Sequence, residues 1–203
     1  MVKQTFYNLT PQKRTRIINA IINEIDGKTL EDISINQIVK NAGISRGSFY
    51  QYFDDKQDVF KVVMQGFSEK LLSNCVESLK KNGGDLFLAS TEVFDFLLTS
   101  SKEEKYSSTF KTVFSNAQLN CSFIALTDEH FNENSVMEQI KDYINYDLLN
   151  ENVQTDVKNM LFIISSVIIR SCFEVFVIGK DENLVKEYLQ EMFLLMKNGF
   201  YRR

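Results

Sequence analysis

SINQIVKNAGISRGSFYQYFDDK, residues Ser34 to Lys56, reads as two short helices joined by a tight turn. Ser34 and Gln37 make a capping box, in which a serine hydroxyl and a glutamine three residues on satisfy free backbone N–H groups at a helix start. Ile35, Ile38, Val39 and Ala42 follow at the i, i+3, i+4, i+7 spacing of one apolar stripe. Gly43 stands just past that stripe, where a left-handed backbone ends a helix at least steric cost. Ile44 plugs the turn into the core, and Ser45 caps a second helix running from Arg46 to Phe53. Phe49 and Phe53, four apart, face inward together, which leaves Arg46, Ser48, Tyr50 and Tyr52 on the exposed side. An aspartate of the Asp54–Asp55 pair caps the next helix, and Lys56 enters its first turn, where an ammonium opposes the helix dipole and suits a bound anion.

A polar face of hydrogen bonders and flat rings, without Lys/Glu pairs, suits the DNA major groove, and Lys56 suits a backbone phosphate. A helix, then AGISRGSFYQYFDDK, then a long amphipathic helix resembles the tetracycline-repressor (TetR) family of bacterial transcriptional regulators. The Ala42–Gly43 turn, a small residue before an aromatic, Tyr50-x-Tyr52-Phe53 and the closing Lys56 carry the resemblance, and the rest of the chain matches only in length and helical character. The resemblance implies an all-α fold of about nine helices. An N-terminal three-helix helix-turn-helix DNA-binding domain would occupy residues 1–56, and a C-terminal helical ligand-binding and dimerisation domain residues 57–203. On the resemblance, Arg46, Ser48, Tyr50 and Tyr52 meet base edges or phosphates, with Arg46 reading a guanine. Ser45 starts that helix, Gly47 keeps it close to the duplex, Asn36 and Gln37 approach from the preceding helix, and Lys56 binds phosphate. Arg14, clustered with Lys13 and Arg16 at the start of the first helix, is placed to touch the DNA backbone.

Composition agrees with this reading. The chain has 203 residues, 44% of them hydrophobic, so a sizeable core can form. One Pro, eight Gly and no Trp argue against a turn-rich all-β architecture. The net charge of −4 hides an asymmetry: residues 1–61 carry nine basic and seven acidic side chains, the remainder 14 and 20. A mildly basic head on an acidic body fits a protein that docks DNA with one end. Cys75, Cys121 and Cys172 are scattered among apolar residues, which argues for buried thiols in a reducing cytoplasm and against disulfides or zinc. His130 is the single histidine, beside Asp128, Glu129 and Glu133, and without a second soft ligand no metal or cofactor is expected. No charged-then-apolar leader opens the chain, and the apolar run Met160–Ile169, interrupted by Arg170 and Glu174, falls short of the ~20 residues that span a bilayer. A cytoplasmic protein without a membrane role is expected. No enzyme is expected either, since no Gly-rich phosphate loop, Ser/His/Asp set or close carboxylate pair emerges.

In chain order, Met1 to Leu9 is expected as a loose arm with Phe6 or Leu9 tucked onto the first helix. That helix starts at Thr10–Pro11 and buries Ile17, Ile18, Ile21, Ile22 and Ile25. A long helix from about Asp58 to Leu79 turns Phe60, Val63, Met64, Phe67, Leu71 and Cys75 inward and joins head to body. Helices over about 85–100, 104–125, 135–150 and 153–178 precede a last one over Glu182–Phe200. The resemblance adds a ligand cavity lined by some of Phe87, Phe94, Phe110, Phe114, Phe123 and Phe162, for a small hydrophobic effector such as an acyl chain or aromatic drug. The last two helices are apolar on more than one side, and the excess argues for a partner. By resemblance the partner is a second copy, in a homodimer interface that includes Leu161, Ile164, Ile168, Val185, Leu189, Met192 and Met196. The implied function is repression from an inverted-repeat operator in double-stranded DNA, relieved by the effector. The competing reading, a helical small-molecule binding protein without a DNA role, leaves the face of Arg46, Ser48, Tyr50 and Tyr52 unexplained.

Overall fold

The structure, a computed structural model, describes residues 2–25, 28, 30–103, 110, 114, 136–150 and 157–201, with the backbone alone at 60, 64–66 and 68. Its helices are α1 (Gln4–Tyr7), α2 (Pro11–Ile25), α3 (Ile35–Ala42), α4 (Arg46–Tyr52), α5 (Lys56–Lys81), α6 (Leu86–Ser100), α7 (Val136–Ile140), α8 (Val157–Phe173, continued by a π turn Glu174–Ile178) and α9 (Glu182–Phe200). The fold is all-α, as the sequence predicts, and the one extended pairing among the described residues is an isolated antiparallel bridge between Leu149 and Tyr201. The expected helix 104–125 apart from Phe110 and Phe114, Cys121, Phe123, the loop carrying His130, the Asp26–Gly27 break and the start of the 153–178 helix lie outside the described residues.

Local chemistry sets the head. Thr10 Oγ1 accepts from the Lys13 N–H at 3.4 Å ahead of Pro11, and Ser34 Oγ accepts from the Gln37 N–H at 3.3 Å. Gly43 ends α3 at φ 61°, in the left-handed region that glycine tolerates best. Asp55 Oδ1 accepts from the Asp58 N–H at 3.0 Å and caps α5, and Asp58 Oδ2 reaches back to accept from the Asp54 N–H, one residue ahead of the cap, at 2.9 Å. Ile17, Ile21, Ile25, Ile38, Phe49 and Phe53 are fully buried together, and Val59, Val62 and Val63 of α5 belong to the same cluster. Buried Glu24 ties the α2–α3 loop down: its Oε1 accepts from the Ser34 N–H at 2.9 Å and from Lys28 Nζ at 2.6 Å.

Residues 2–9 depart from the expected loose arm. Phe6 is tucked in as expected, but the segment contains α1 and packs on the end of α4, with the Lys3 N–H donating to Tyr52 O at 2.9 Å.

A second buried cluster begins at Phe67, so α5 threads two cores, with the change between Val63 and Phe67. This cluster takes in Leu79 of α5, Phe87, Val93, Phe94 and Leu97 of α6, Ile164, Ile168 and Cys172 of α8, and Val185, Leu189 and Phe193 of α9. The expected 135–150 helix is broken: α7 gives way to 3-10 turns at Lys141–Tyr143 and Tyr146–Leu148. Asn145 causes the break in part, capping the second turn by accepting from the Asp147 N–H at 3.1 Å while its own N–H donates to Gly84 O at 3.1 Å. A Cβ on Gly84, which sits at φ 80°, would lie 2.4 Å from Asn145 N, so glycine is what lets the two segments meet.

Helix α8 with its π turn, Val157–Ile178, runs 22 residues and is long and apolar enough by length and composition to cross a membrane, contrary to the sequence expectation. One side of it is accounted for within the chain, since Val157, Met160, Ile164, Ile168 and Cys172 are buried in the body core. Burial also pushes the Cys75 thiol up to about 11 and the Cys172 thiol well above its ordinary value, so both stay protonated at neutral pH.

Candidate nucleic-acid interface

The turn between α3 and α4 brings together residues ten apart in sequence. The Arg46 guanidinium donates to Asn36 Oδ1 from one nitrogen and to the Tyr50 hydroxyl at 3.3 Å from another. Its carbon lies 5.7 Å from the centre of the Tyr50 ring. Asn36, Arg46 and Tyr50 are all exposed, as are Gln37, Ser45 and Gly47. Ser45 Oγ accepts from the Ser48 N–H at 3.0 Å and lies 2.9 Å from Ser48 Oγ, which places both hydroxyls at the start of α4. The arginine and phenol of the seven-residue α4 and the asparagine amide at the start of α3 thus form one hydrogen-bonded polar surface.

Tyr52 does not join that surface. It is 6% exposed, with its ring 6.2 Å from both Phe6 and Phe53 and Lys13 Nζ 5.9 Å above it. Tyr52 lies three residues after Phe49, and helical geometry puts both on one face. Lys56 is also engaged, donating from Nζ to Glu31 O at 2.8 Å, and Arg14 is half-buried in the first turn of α2.

In the body, Phe110 and Phe114 lie 6.0 Å apart by ring centres and share Phe176, at 5.2 and 5.3 Å. Phe67 touches Phe110 at 5.0 Å and stacks on Phe96 at 5.9 Å. Phe67 is buried, as its place on the inner stripe of the long helix predicts, but the sequence does not group it with the cavity aromatics, and it singles out neither Phe96 nor Phe176. Phe87 belongs elsewhere, 5.5 Å from Phe193 and 5.4 Å from Tyr201, while Phe94 is fully buried. Phe162 is 50% exposed and so cannot line an interior cavity of this subunit as the sequence suggested. Phe123 lies outside the described residues.

The apolar residues named for a dimer surface divide. Ile164, Ile168, Val185 and Leu189 are buried against the subunit's own core, and Leu161, Met192 and Met196 are half-buried. What α8 with its π turn and α9 leave uncovered is a different set: Phe162, Ile163, Ile178, Leu184, Tyr188, Leu194 and Leu195. Periodicity shows that a helix has two apolar stripes but not which of them the subunit itself covers.

Comparison with known proteins covers both halves. The family described as "Bacterial regulatory proteins, tetR family" matches residues 17–63, and "Tetracyclin repressor-like, C-terminal domain" matches residues 85–200. The uncharacterized HTH-type transcriptional regulator YdgC of Bacillus subtilis is 30% identical over 93 residues, 42% of this chain and 48% of that protein. The HTH-type transcriptional regulator BetI of Cronobacter sakazakii is 30% identical over 84 residues, 41% of this chain and 40% of that protein. The chain thus spans less than half the length of these relatives. Among solved structures, a TetR family transcriptional regulator from Chloroflexus aurantiacus shares the fold over 100% of both chains at TM-score 0.50 and 19% identity. The TetR family repressor AlkX from Dietzia does so over 95% of this chain and 98% of its own, at TM-score 0.52 and 16% identity. With a C-terminal description that alone covers more than half of its residues, preceded in order by the N-terminal one, this chain belongs to the TetR family of bacterial regulatory proteins.

Proposed function

We propose that the chain is a sequence-specific DNA-binding transcriptional regulator, a cytoplasmic homodimeric repressor released from an inverted-repeat operator by a small hydrophobic effector. The observation that carries this is the exposed hydrogen-bonded set formed by Arg46 and Tyr50 of the Ser45-capped helix α4 with Asn36 of α3. A guanidinium already held by an amide and a phenol is oriented before DNA arrives, and paired bonds to guanine O6 and N7 are its best use in a major groove. Arg46→Ala is therefore expected to cost about 1–3 kcal/mol of discrimination at one base pair. Lys56→Ala, by contrast, should weaken binding to all sequences alike. Titration against single-base variants of the operator checks both, and a uniform loss from Arg46→Ala would refute its role as a reader.

Gly47 adds independent support. A Cβ there would meet only Ser45 Oγ, at an ordinary 3.8 Å, so nothing within the fold demands glycine. Glycine inside a helix costs stability, and close approach of a duplex supplies the missing reason for it. Gly47→Ala should stabilise the head by about 0.5–1 kcal/mol in urea melts while weakening operator binding. An unimpaired affinity would remove this support.

The aromatic group of Phe67, Phe96, Phe110, Phe114 and Phe176 favours a hydrophobic effector. Asn74 Oδ1, on the same α5 stripe as Phe67 and Leu71, is buried with no hydrogen-bond partner among the described residues, which favours an effector carrying one polar donor. Because α5 belongs to both cores, a shift at its body end would swing the head. The uncovered apolar face of α8 and α9 is assigned to the second subunit, which would deliver two α4 helices to successive major grooves.

A further inference from the structure

Helix α4 has seven residues, too few to hold helical geometry through its own hydrogen bonds. Its N-terminus is fixed by Ser45. At the other end the Phe53 N–H donates to Phe49 O at 2.9 Å, and Phe53 then turns extended, with φ −131° and ψ 142°. The carbonyls of Tyr50, Gln51 and Tyr52 are left without a following helical turn to bond. Each has a donor from the N-terminal segment instead. Lys3 Nζ donates to Tyr50 O at 2.7 Å, Thr5 Oγ1 donates to Gln51 O, and the Lys3 N–H donates to Tyr52 O at 2.9 Å. Lys3 Nζ also pairs with Asp54, just past α4, at 2.7 Å. Phe6 completes the contact, 1% exposed and 5.1 Å from the Phe53 ring.

We propose that Lys3, Thr5 and Phe6 are positioning residues that cap the C-terminal end of α4 and so set the angle at which Arg46 and Tyr50 meet DNA. The proposal rests on the reading of α4 as the recognition helix. Tyr50 sits in the last turn of α4, the turn that frays when its carbonyls lose their donors. Its hydroxyl in turn holds the Arg46 guanidinium, so disorder at Tyr50 reaches the reading arginine through one bond. The Lys3 ammonium beside Asp54 holds that exposed carboxyl down at about 2, which keeps the pair charged at any physiological pH.

The test uses the full chain with Thr5→Val, Lys3→Met and the two combined. The DNA probes are a duplex enriched by the wild-type protein from a random-sequence pool and a scrambled duplex of equal length. The double variant is expected to speed hydrogen exchange at the amides of Tyr50 to Phe53 while α5 and α9 keep their protection. Affinity for the enriched duplex should fall about tenfold, the effect of losing two modest hydrogen bonds. Affinity for the scrambled duplex should stay within about twofold, since no phosphate contact is lost. Thr5→Val, which changes no charge, should reproduce part of the specific loss. Unchanged exchange with unchanged affinity overturns the proposal, and so does an equal loss on both duplexes with a shallower salt dependence, which would make Lys3 a phosphate contact. Should the wild-type protein enrich no duplex, the regulator reading fails, and exchange in the last turn of α4 still decides whether the cap exists.

Discussion

Leu195→Glu is expected to leave each subunit folded, abolish the dimer and lower operator affinity by about a hundredfold or more, the advantage that two linked contacts hold over one. Leu195 is 72% exposed in the subunit, so its replacement removes no internal packing. It shares the outward face of α9 with Leu184 and Tyr188, at helical spacings of eleven and seven residues. Phe162 and Ile163 extend the uncovered apolar surface onto α8. A carboxylate placed against that surface in a dimer would be stripped of water with no cation to meet it, a cost several times the gain of any one apolar contact. Sedimentation velocity reads the mass and fluorescence anisotropy the affinity. A variant that stays dimeric would put the interface on another surface. The length and apolarity of Val157–Ile178 give the rival occupant, a lipid bilayer, a concrete outcome too: wild-type protein that is monomeric and sediments with phospholipid vesicles would replace the dimer with a membrane contact.

The second large effect is expected at the junction of α5, α6 and α9. Asp85 is buried and accepts four hydrogen bonds: from the Phe87 and Leu88 N–H groups at 3.0 and 3.1 Å, from Tyr201 Oη at 2.8 Å and from Lys197 Nζ at 2.6 Å. One carboxylate therefore caps α6 and fastens the end of α9. Asp85→Ala strands an ammonium, a phenol and two backbone donors, and is expected to cost about 3–5 kcal/mol. Urea denaturation measures this, and a loss below about 1 kcal/mol would mean that water replaces the carboxylate freely.

The same cluster gives the body a pH window. Burial acts to raise the Asp85 carboxyl, but Lys197, the Leu88 N–H and Tyr201 together hold it below the ordinary value of 3.8. A depressed carboxyl contributes stability above that value and loses it as pH falls through its native pKa. Burial, and then the Asp85 carboxylate it donates to, push the Tyr201 phenol well above its ordinary 10.0. A raised phenol contributes stability below 10.0 and loses it as pH rises further. The body should therefore be most stable between these limits, and in urea melts across pH Tyr201→Phe should remove the alkaline limb and shrink the acid one, because Lys197 and the Leu88 N–H are then left to hold the Asp85 carboxyl down.

The head was legible because its signals are local. Ser34, Gly43, Ser45 and Asp55 each act on a backbone group within three or four residues, and a single sequence shows such pairs directly. Asp58 carried the same kind of signal, since Asp55-x-x-Asp58 repeats the capping-box spacing with a shorter acid. Tyr52 could have been placed inside by its spacing from Phe49, but its aromatic hydroxyl made it look like a surface residue. The arm was not legible, because its donors meet carbonyls some 46 to 49 residues away, and no periodicity links them. Asp85 bonds across more than a hundred residues to Lys197 and Tyr201, which sequence spacing equally hides. The sequence shows α8 and α9 to be apolar on more than one side, and the subunit leaves part of that surface exposed, while the choice of outward stripe depends on how both helices lean on α6.

The surface of Asn36, Arg46 and Tyr50 is expected to read duplex DNA and to be delivered twice, once by each subunit. The most direct measurement is the stoichiometry and salt dependence of wild-type protein binding to the duplex it enriches from a random pool. The expected result is an inverted repeat bound by two subunits, with half-sites about one helical turn apart or more, and with log affinity falling linearly against log salt. Enrichment of no repeat, together with binding that is indifferent to salt, would contradict it.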